Sequence, residues 1–444
     1  MLDIASAISS AKIVALKTQN GFKLVVDAAN DTLVKELRSR KHRPNKPFAL
    51  MALNISSIEQ YAYINDKEKS EVTSDKRPIV ILKSKQSPAI STSVACGIDS
   101  LGFMLPSSPL EYMIFQELLG KSSGSEWLTE CNDIVLIVTS ANISGDSIIA
   151  DNDEAIEKLS SIADMIVTDN RRIAIKSDDS VVQVISDETY MIRRSRGFVP
   201  TPIELGENLP SVFATGTYLK NTFTLTNKSQ AYVSQYIGDM GSQDNIDYYH
   251  NVLEHFKTLY DFSPEAVVCD MHPDIYTAEF AQKLNLPVYE IQHHEAHLAA
   301  VVAEHNLTGK TIGLVLDGFG LGEDGLARGG ELYMCNIDNL EFKRKGNLVP
   351  IPYVGGDSVS KNPWRMALAL GNYYGIEVSE HIKSIKGATQ LTNMFVNNQT
   401  ELPVTTSMGR VFDAVSSLLG VCHINTYEAE AAIRLESLVD KVSY

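Results

Sequence analysis

Lys41-His42-Arg43-Pro44-Asn45-Lys46-Pro47-Phe48 sets the cations Lys41, Arg43 and Lys46 at the end of an amphipathic stretch and in the turn behind it. The stretch from about Asp31 to His42 reads as a helix, and it must stop there, because the residue before a proline is disfavoured in the helical region. Pro44 and Pro47 restrain the turn that follows. Clustered cations on a restrained backbone suit a polyphosphate, whose charge has to be met at several oxygens. Further on, the apolar strand DIVLIVT (133–139) runs into Ser140-Ala141-Asn142-Ile143-Ser144-Gly145. Hydroxyls, an amide and a glycine in a loop after a strand are groups that hydrogen-bond phosphates. Taken alone, the two segments also fit a solvated basic helix end and an ordinary turn.

Outward from these segments, short β-branched runs alternate with amphipathic stretches, the pattern of an α/β sheet. KIVALKT (12–18), GFKLVVDA (21–28), RPIVILK (77–83), DMIVTD (164–169), SVVQVIS (180–186) and YMIRRS (190–195) read as strands. PLEYMIFQELLG (109–120) and DNDEAIEKLSSIA (151–163) read as helices. RGFVPTPIELGENLPS (196–211) holds Pro200, Pro202, Pro210 and Gly206, residues that break regular elements, so it reads as a linker. A second α/β region follows, with strands AVVCD, PVYEIQH, TIGLVLDG and GGELYMCNI and helices through PWRMALALGNYYG, VFDAVSSLLG and YEAEAAIRLESLVDKV. The expected organisation is a first domain over 1–200, a linker over 201–212 and a second domain over 213–444.

With 444 residues, 44% hydrophobic and 21% charged, the chain has the composition of a globular protein of more than one domain. No apolar run approaches the ~20 residues that span a bilayer, and no signal peptide is visible, so the expectation is a cytoplasmic protein without a membrane. The net charge of −16 argues against a general nucleic-acid binder. Cys96, Cys131, Cys269, Cys335 and Cys422 are scattered, with no CxxC pair, which fits reduced thiols.

Gln292-His293-His294-Glu295-Ala296-His297 follows an apolar strand and opens a helix. His293 and His297 are four apart, hence on one helical face, the spacing that lets two imidazoles share a metal. Such a pair alone is more often a surface or packing feature. The strand TIGLVL ends in Asp317-Gly318-Phe319-Gly320-Leu321-Gly322-Glu323-Asp324-Gly325, and the strand GGELYMC starts at once. That is a hairpin, not the strand–turn–helix setting of a dinucleotide-binding glycine motif. A carboxylate at a buried strand end beside glycines suits a metal ligand next to phosphate, and equally a solvated glycine-rich turn.

Order and spacing across the chain carry a resemblance. KxRxxKPF followed by TSANISG resembles the YrdC-type domain, which makes acyl-adenylates from ATP. RKHRPNKPFALMA, GIDSLGFMLPSSPLE, SDDSVVQV and RRSRGFVPTPI are similar to the variant found in HypF-type hydrogenase-maturation carbamoyltransferases. GTYLKNTFTL, SQYIGDM, CDMHPDIYTAEFA, QHHEAHLAAV, LDGFGLGEDG, GGDSVSKNPWRMA, GRVFDAVSSLLG and TYEAEAAIRLE resemble the second catalytic domain of that family, a Kae/TsaD-type member of the actin-like ATPase fold. The implied architecture is a YrdC-like twisted α/β domain followed by an incomplete actin-like domain. The resemblance implies nucleotide binding by Lys41, Arg43, Lys46, Ser140 and Asn142, with Lys220 and Asn221 in a matching turn. It implies metal ligation by His293, His297 and Asp317, with zinc or iron suited alike. Lys41, Arg43, His293 and His297 are the implied catalytic set. Asp239, Asp270 and His272 fall in matching motifs without an assigned role, and Asp239 reads as structural.

The implied chemistry is carbamoyl-adenylate formation from carbamoyl phosphate and ATP, with magnesium accompanying ATP. Transfer would then go to the C-terminal cysteine of a HypE-type acceptor protein. An acylphosphatase-like domain, paired CxxC zinc fingers, an LSGG-type loop and a late aspartate, all parts of a whole HypF, are not found within residues 1–444. A second chain supplying the rest of the transfer domain is therefore an expectation. Threonylcarbamoyl-adenylate synthesis for tRNA modification, and a fragment that only binds nucleotide or a partner, are the alternatives. The chain also departs from the family pattern. KGIGGFHL is here Lys17-Thr18-Gln19-Asn20-Gly21-Phe22-Lys23-Leu24, which loses two glycines and replaces histidine with Lys23. Glu111 stands for histidine, Arg172 for proline, Arg328 for tryptophan, Ala278 for a hydroxyl residue, and Ala429-Glu430 for glycine and glutamine.

Overall fold

The computed structural model describes residues 1–121, 123–142, 145–397 and 402–439, leaving aside the side chains of 207 and 208. Two compact units are present, Met1–Glu204 with Asn208–Glu265, and Leu205–Glu207 with the described residues from Ala266 on. Among the described residues no helix is long and apolar enough to cross a membrane.

The first unit is built on a nine-stranded mixed sheet. Its strands are β1 (Val14–Lys17), β2 (Phe22–Asp27), β3 (Ala49–Ala52), β4 (Ile79–Lys83), β5 (Ser100–Met104), β6 (Val135–Ser140), β7 (Met165–Val167), β8 (Val181–Ile185) and β9 (Glu188–Arg193), in the order β7-β1-β2-β6-β3-β5-β4-β8-β9. Its central strands are apolar on both sides because both faces are covered. Phe22, Leu24 and Val26 pack with Leu33, Val34 and Leu37 of the helix Asp31–Arg40. Val25, Leu136 and Val138 face the other way, onto Ile4 and Ile8 of Leu2–Ser9 and Ile114 and Phe115 of Pro109–Leu118.

The stretch expected to be an irregular linker is partly a strand. β10 (Ile203–Leu209) pairs antiparallel with β12 (Thr224–Val233), which also pairs with β11 (Val212–Ala214). Pro200, Pro202 and Pro210 flank β10, and Gly206, at φ +77°, sits where its register shifts between Glu204 and Leu209. A glycine there marks a bulge and does not end the strand.

In the second unit β13 (Ala266–Asp270) runs parallel to β14 (Val288–Ile291), and β14 leads through Gln292 into the helix His293–His305. β15 (Lys310–Leu321) and β16 (Ala327–Asn336) form the expected hairpin, with β17 (Glu341–Asn347) beyond. The short strands β18 (Ile351–Pro352) and β19 (Val404–Thr405) complete the sheet, and β19 meets β16 at Thr405 and Ala327. Trp364, Met366, Leu391, Phe395 and Ala414 centre the helical core beside it. The last helix, Glu430–Glu436, is shorter than its pattern suggests. It begins after Ala429, held at φ +60°.

Candidate functional site

Asn30 caps the helix Asp31–Arg40 by accepting from the Leu33 N–H, and Lys41 closes it, with His42 turning at φ +49°. The loop behind is held by Arg38. This arginine lies on the buried face of the helix and donates to the carbonyls of Arg43 (2.9 Å), Lys46 (3.0 Å), Ser93 (2.6 Å) and Val94 (3.1 Å). Its guanidinium also covers the Phe48 ring at 4.5 Å. A cation on the apolar face of an amphipathic helix was the available sequence signal for this role.

Lys41 is buried, and its Nζ donates to the Ser140 carbonyl (2.9 Å), the Asn142 carbonyl (2.6 Å) and Asn142 Oδ1 (2.8 Å). Ser140 Oγ donates to the same Oδ1 at 2.9 Å. The end of β6 and the end of the helix therefore meet through one ammonium. Burial, reinforced by the neighbouring Arg43 cation, pulls Lys41 down to about 7. Arg43 reaches Thr139 Oγ1 at 3.5 Å, the Lys46 carbonyl at 3.2 Å and the Pro47 carbonyl, and lies over Phe48 at 4.8 Å. Ile143 and Ser144 of the expected loop lie outside the described residues.

Lys220 and Asn221 sit apart from this cluster, on the turn between β11 and β12. The Lys220 N–H donates to Asp239 Oδ1 at 2.8 Å, and buried Asn221 donates to the carbonyls of Thr215 (3.2 Å) and Thr217 (2.6 Å). Buried Asn245 joins the two regions by donating to the carbonyls of Gly145 (3.1 Å) and Asp239 (2.8 Å), a link that sequence reading missed. Lys23 is also accounted for. Its Nζ bonds both oxygens of buried Asp179 at 2.9 and 2.7 Å, and Arg196 Nε reaches Oδ1 at 2.9 Å. Glu111 closes a capping box with Ser108 at the start of Pro109–Leu118. Arg328 pairs with Asp324 at 2.8 Å.

The second cluster lies where the helix His293–His305 opens opposite Asp317, which is not at the expected strand end but within β15, where the register shifts between Leu316 and Gly320. His293 Nε2 and His297 Nε2 stand 3.2 Å apart. Asp317 Oδ2 lies 3.1 Å from the first and 3.7 Å from the second, yet this buried oxygen has no hydrogen bond of proper geometry. Asp270 Oδ2 lies 2.7 Å from His293 Nδ1, so that nitrogen is occupied and Nε2 is left to offer its lone pair. Burial resists a proton on His293, but Asp270 and Asp317 outweigh it and push the imidazole up to about 9. Burial and the His293 cation draw His297 the other way. Two imidazole nitrogens and an orphaned carboxylate oxygen converging on one point form a donor set that fits a divalent transition metal. Gly320 makes the approach feasible, because a Cβ there would come 2.5 Å from His294 Cε1 and 2.9 Å from His293 Cδ2. His272 is tied through Nδ1 to the Asp274 N–H at 3.3 Å and does not join the three.

A basic loop meeting a Ser-Ala-Asn turn in one α/β unit, with a histidine–aspartate cluster in the next, defines a YrdC-like domain joined to Kae1-like segments. Residues 6–195 match the family model described as telomere recombination (Sua5, YciO, YrdC), 207–304 the HypF Kae1-like domain, and 313–444 the second subdomain of the carbamoyltransferase Kae1-like domain. Carbamoyltransferase HypF of Rhizobium leguminosarum bv. viciae is 40% identical over 98% of this chain and 56% of its own length. HypF2 of Cupriavidus necator is 39% identical over 97% and 54%. A solved full-length HypF in the phosphate- and nucleotide-bound form superposes with a TM-score of 0.91 at 35% identity, covering 99% of this chain and 68% of that one. The chain belongs to the HypF carbamoyltransferase family, and it spans about half the length of the curated relatives it matches.

Proposed function

We propose that this chain carries the adenylate-forming part, and a portion of the transfer part, of a cytoplasmic carbamoyltransferase of nickel–iron hydrogenase maturation. The match to HypF relatives along 98% of the chain carries this reading. The functional boundary lies in the linker 201–212, a reading supported by one family match ending at 195 and the next beginning at 207. ATP, with magnesium, binds at Lys41, Arg43, Lys46, Ser140 and Asn142, and Lys220 and Asn221 contribute from the neighbouring turn. The carboxylate of carbamate, which hydrolysis of carbamoyl phosphate yields with release of inorganic phosphate, attacks the α-phosphorus. The anhydride bond to AMP forms as pyrophosphate leaves. Lys41 and Arg43 meet the charge that builds on the phosphate oxygens.

His293, His297 and Asp317 hold the metal, which when bound would polarise the carbamoyl group for transfer to the C-terminal thiolate of a HypE-type acceptor. Asp270 orients His293 for that ligation. A polypeptide segment outside residues 1–444, on the same or a second chain, covers the outer face of the β15–β16 hairpin. That face presents Ile312 (73% exposed), Leu314 (62%) and Met334 (56%), with Ile312 opposite Met334 and Leu314 opposite Leu332. Apolar side chains in such register call for a covering layer.

The test is ATP–pyrophosphate exchange, driven by carbamoyl phosphate or by carbamate from ammonium bicarbonate. Exchange that Lys41→Ala abolishes is expected. Exchange that requires threonine with bicarbonate would favour tRNA modification, and a folded chain that binds ATP without any exchange would favour a non-catalytic binder.

A further inference from the structure

The first unit contains a polar cavity of about 650 Å³ beside the start of the helix Asn152–Leu159, within the size range of small-molecule sites. It shares no lining residue with the Lys41–Asn142 cluster. Its acids, Asp151 and Glu154, are already engaged. Asp151 caps the helix by accepting from the backbone of Asp153 (2.9 Å) and Glu154 (3.1 Å), and Glu154 holds Lys158 at 3.0 Å. Arg171 is met by Asp169 at 2.8 Å.

The other cations of the cavity are not neutralised. Lys17, only 5% exposed, spends its donors on Asn152 Oδ1 (2.7 Å) and the carbonyls of Asp169 (3.2 Å) and Arg171 (2.8 Å). Its nearest carboxylate, Asp169 at 4.0 Å, is the one bound to Arg171. Lys176 donates to the Ser147 hydroxyl at 2.7 Å and lies 4.9 Å from the Tyr248 ring centre, with no carboxylate in ion-pair contact among the described residues. Arg172 makes no hydrogen bond or ion pair among the described residues. Lysines whose hydrogen bonds all go to neutral oxygens, beside an arginine without a carboxylate partner among the described residues, leave a positive potential in the cavity. The helix terminus is not its source, because Asp151 already occupies it.

We propose that this cavity is a second anion site, taking a small phosphate-bearing molecule. The Arg172 guanidinium and the Lys176 ammonium donate to phosphate oxygens, and Lys17 supplies charge from behind. A monocarboxylate would neutralise only one of these cations, whereas a phosphate or diphosphate meets several.

The experiment titrates pyrophosphate, inorganic phosphate and AMP into the full chain carrying Lys41→Ala and Arg43→Ala, read by calorimetry. One bound equivalent is expected, and the unaltered chain should show one equivalent more. Adding Arg172→Ala with Lys176→Gln should weaken the remaining binding about tenfold or more, as loss of charge-assisted bonds does. Arg172 is exposed, so Arg172→Ala alone serves if a multiple variant fails to fold. Tighter AMP than pyrophosphate would mark the ligand as a nucleotide, and the reverse as an inorganic anion. Failure of all three to bind beyond the Lys41 site, or binding indifferent to Arg172→Ala, overturns the proposal.

Discussion

Lys23→Met is the sharpest test of how the first unit is held together. The native ammonium is 3% exposed and bonds both oxygens of Asp179, a carboxylate that is itself buried. Burial alone would push Asp179 up, but Lys23 and then Arg196 hold its carboxyl well below the usual carboxylate range. Methionine keeps the apolar stem and removes the charge, leaving Asp179 to Arg196. Removing one partner of a buried ion pair costs about 3–5 kcal/mol. With Arg196 still at 2.9 Å, the lower end, about 3 kcal/mol, applies. For a unit of this size that lowers the melting temperature by about 6–12 °C. The pH dependence has a definite sign. A depressed folded value gives stability that is present above the ordinary aspartate value of 3.8 and is lost as pH falls through the lower folded value. Circular-dichroism melts should therefore separate the two proteins widely at neutral pH and converge once acid titrates Asp179. Equal melting temperatures at neutral pH, or a gap that widens in acid, would refute the reasoning.

At the nucleotide cluster, Lys41 near 7 is largely neutral at pH 8, and an arriving phosphate favours its charged form. ATP binding at pH 8 should take up close to one proton, seen as a calorimetric enthalpy that varies with the ionisation enthalpy of the buffer, and the uptake should fade below pH 6. No buffer dependence would remove Lys41 from contact with phosphate. Gly320→Ala should destabilise the second unit by about 1–3 kcal/mol and weaken cobalt or zinc binding, because the added carbon collides with His294 and His293. Normal metal affinity in a normally melting variant would contradict the cluster geometry. Asp270→Asn should lower metal affinity about 10–100-fold while leaving one metal per chain, as loss of an orienting carboxylate does. An unchanged affinity would mean that His293 needs no orientation.

Much of this architecture was legible because its signals are local. Seven of the nine strands of the first sheet read as short β-branched runs, whereas β3 (ALMA) and β5 (SLGFM) hold no β-branched residue and go unread, and the hairpin of β15 and β16 reads from two strands with no room for a helix. The pairing of His293 with His297 follows from helical spacing alone, whereas Asp270, in a matching motif but without an assigned role, reaches His293 from 23 residues away. β10 was misread because glycine and proline break a strand only if they fall where its ladder is needed. Here the prolines flank it and Gly206 occupies a bulge.

The departures from the family pattern follow the same division. Glu111 stands for histidine and finds its partner three residues away in Ser108, so its capping role could have been read. Lys23 stands for histidine too, but its partner lies 156 residues further along the chain. Ala429 adopts φ +60°, so the turn before the last helix carries a steric cost of about 1 kcal/mol that a glycine would not. A substitution can thus keep a backbone under strain, create a local cap, or recruit a distant charge. The Lys23–Asp179 contact is of the last kind, a buried bond that no neighbouring residue announces.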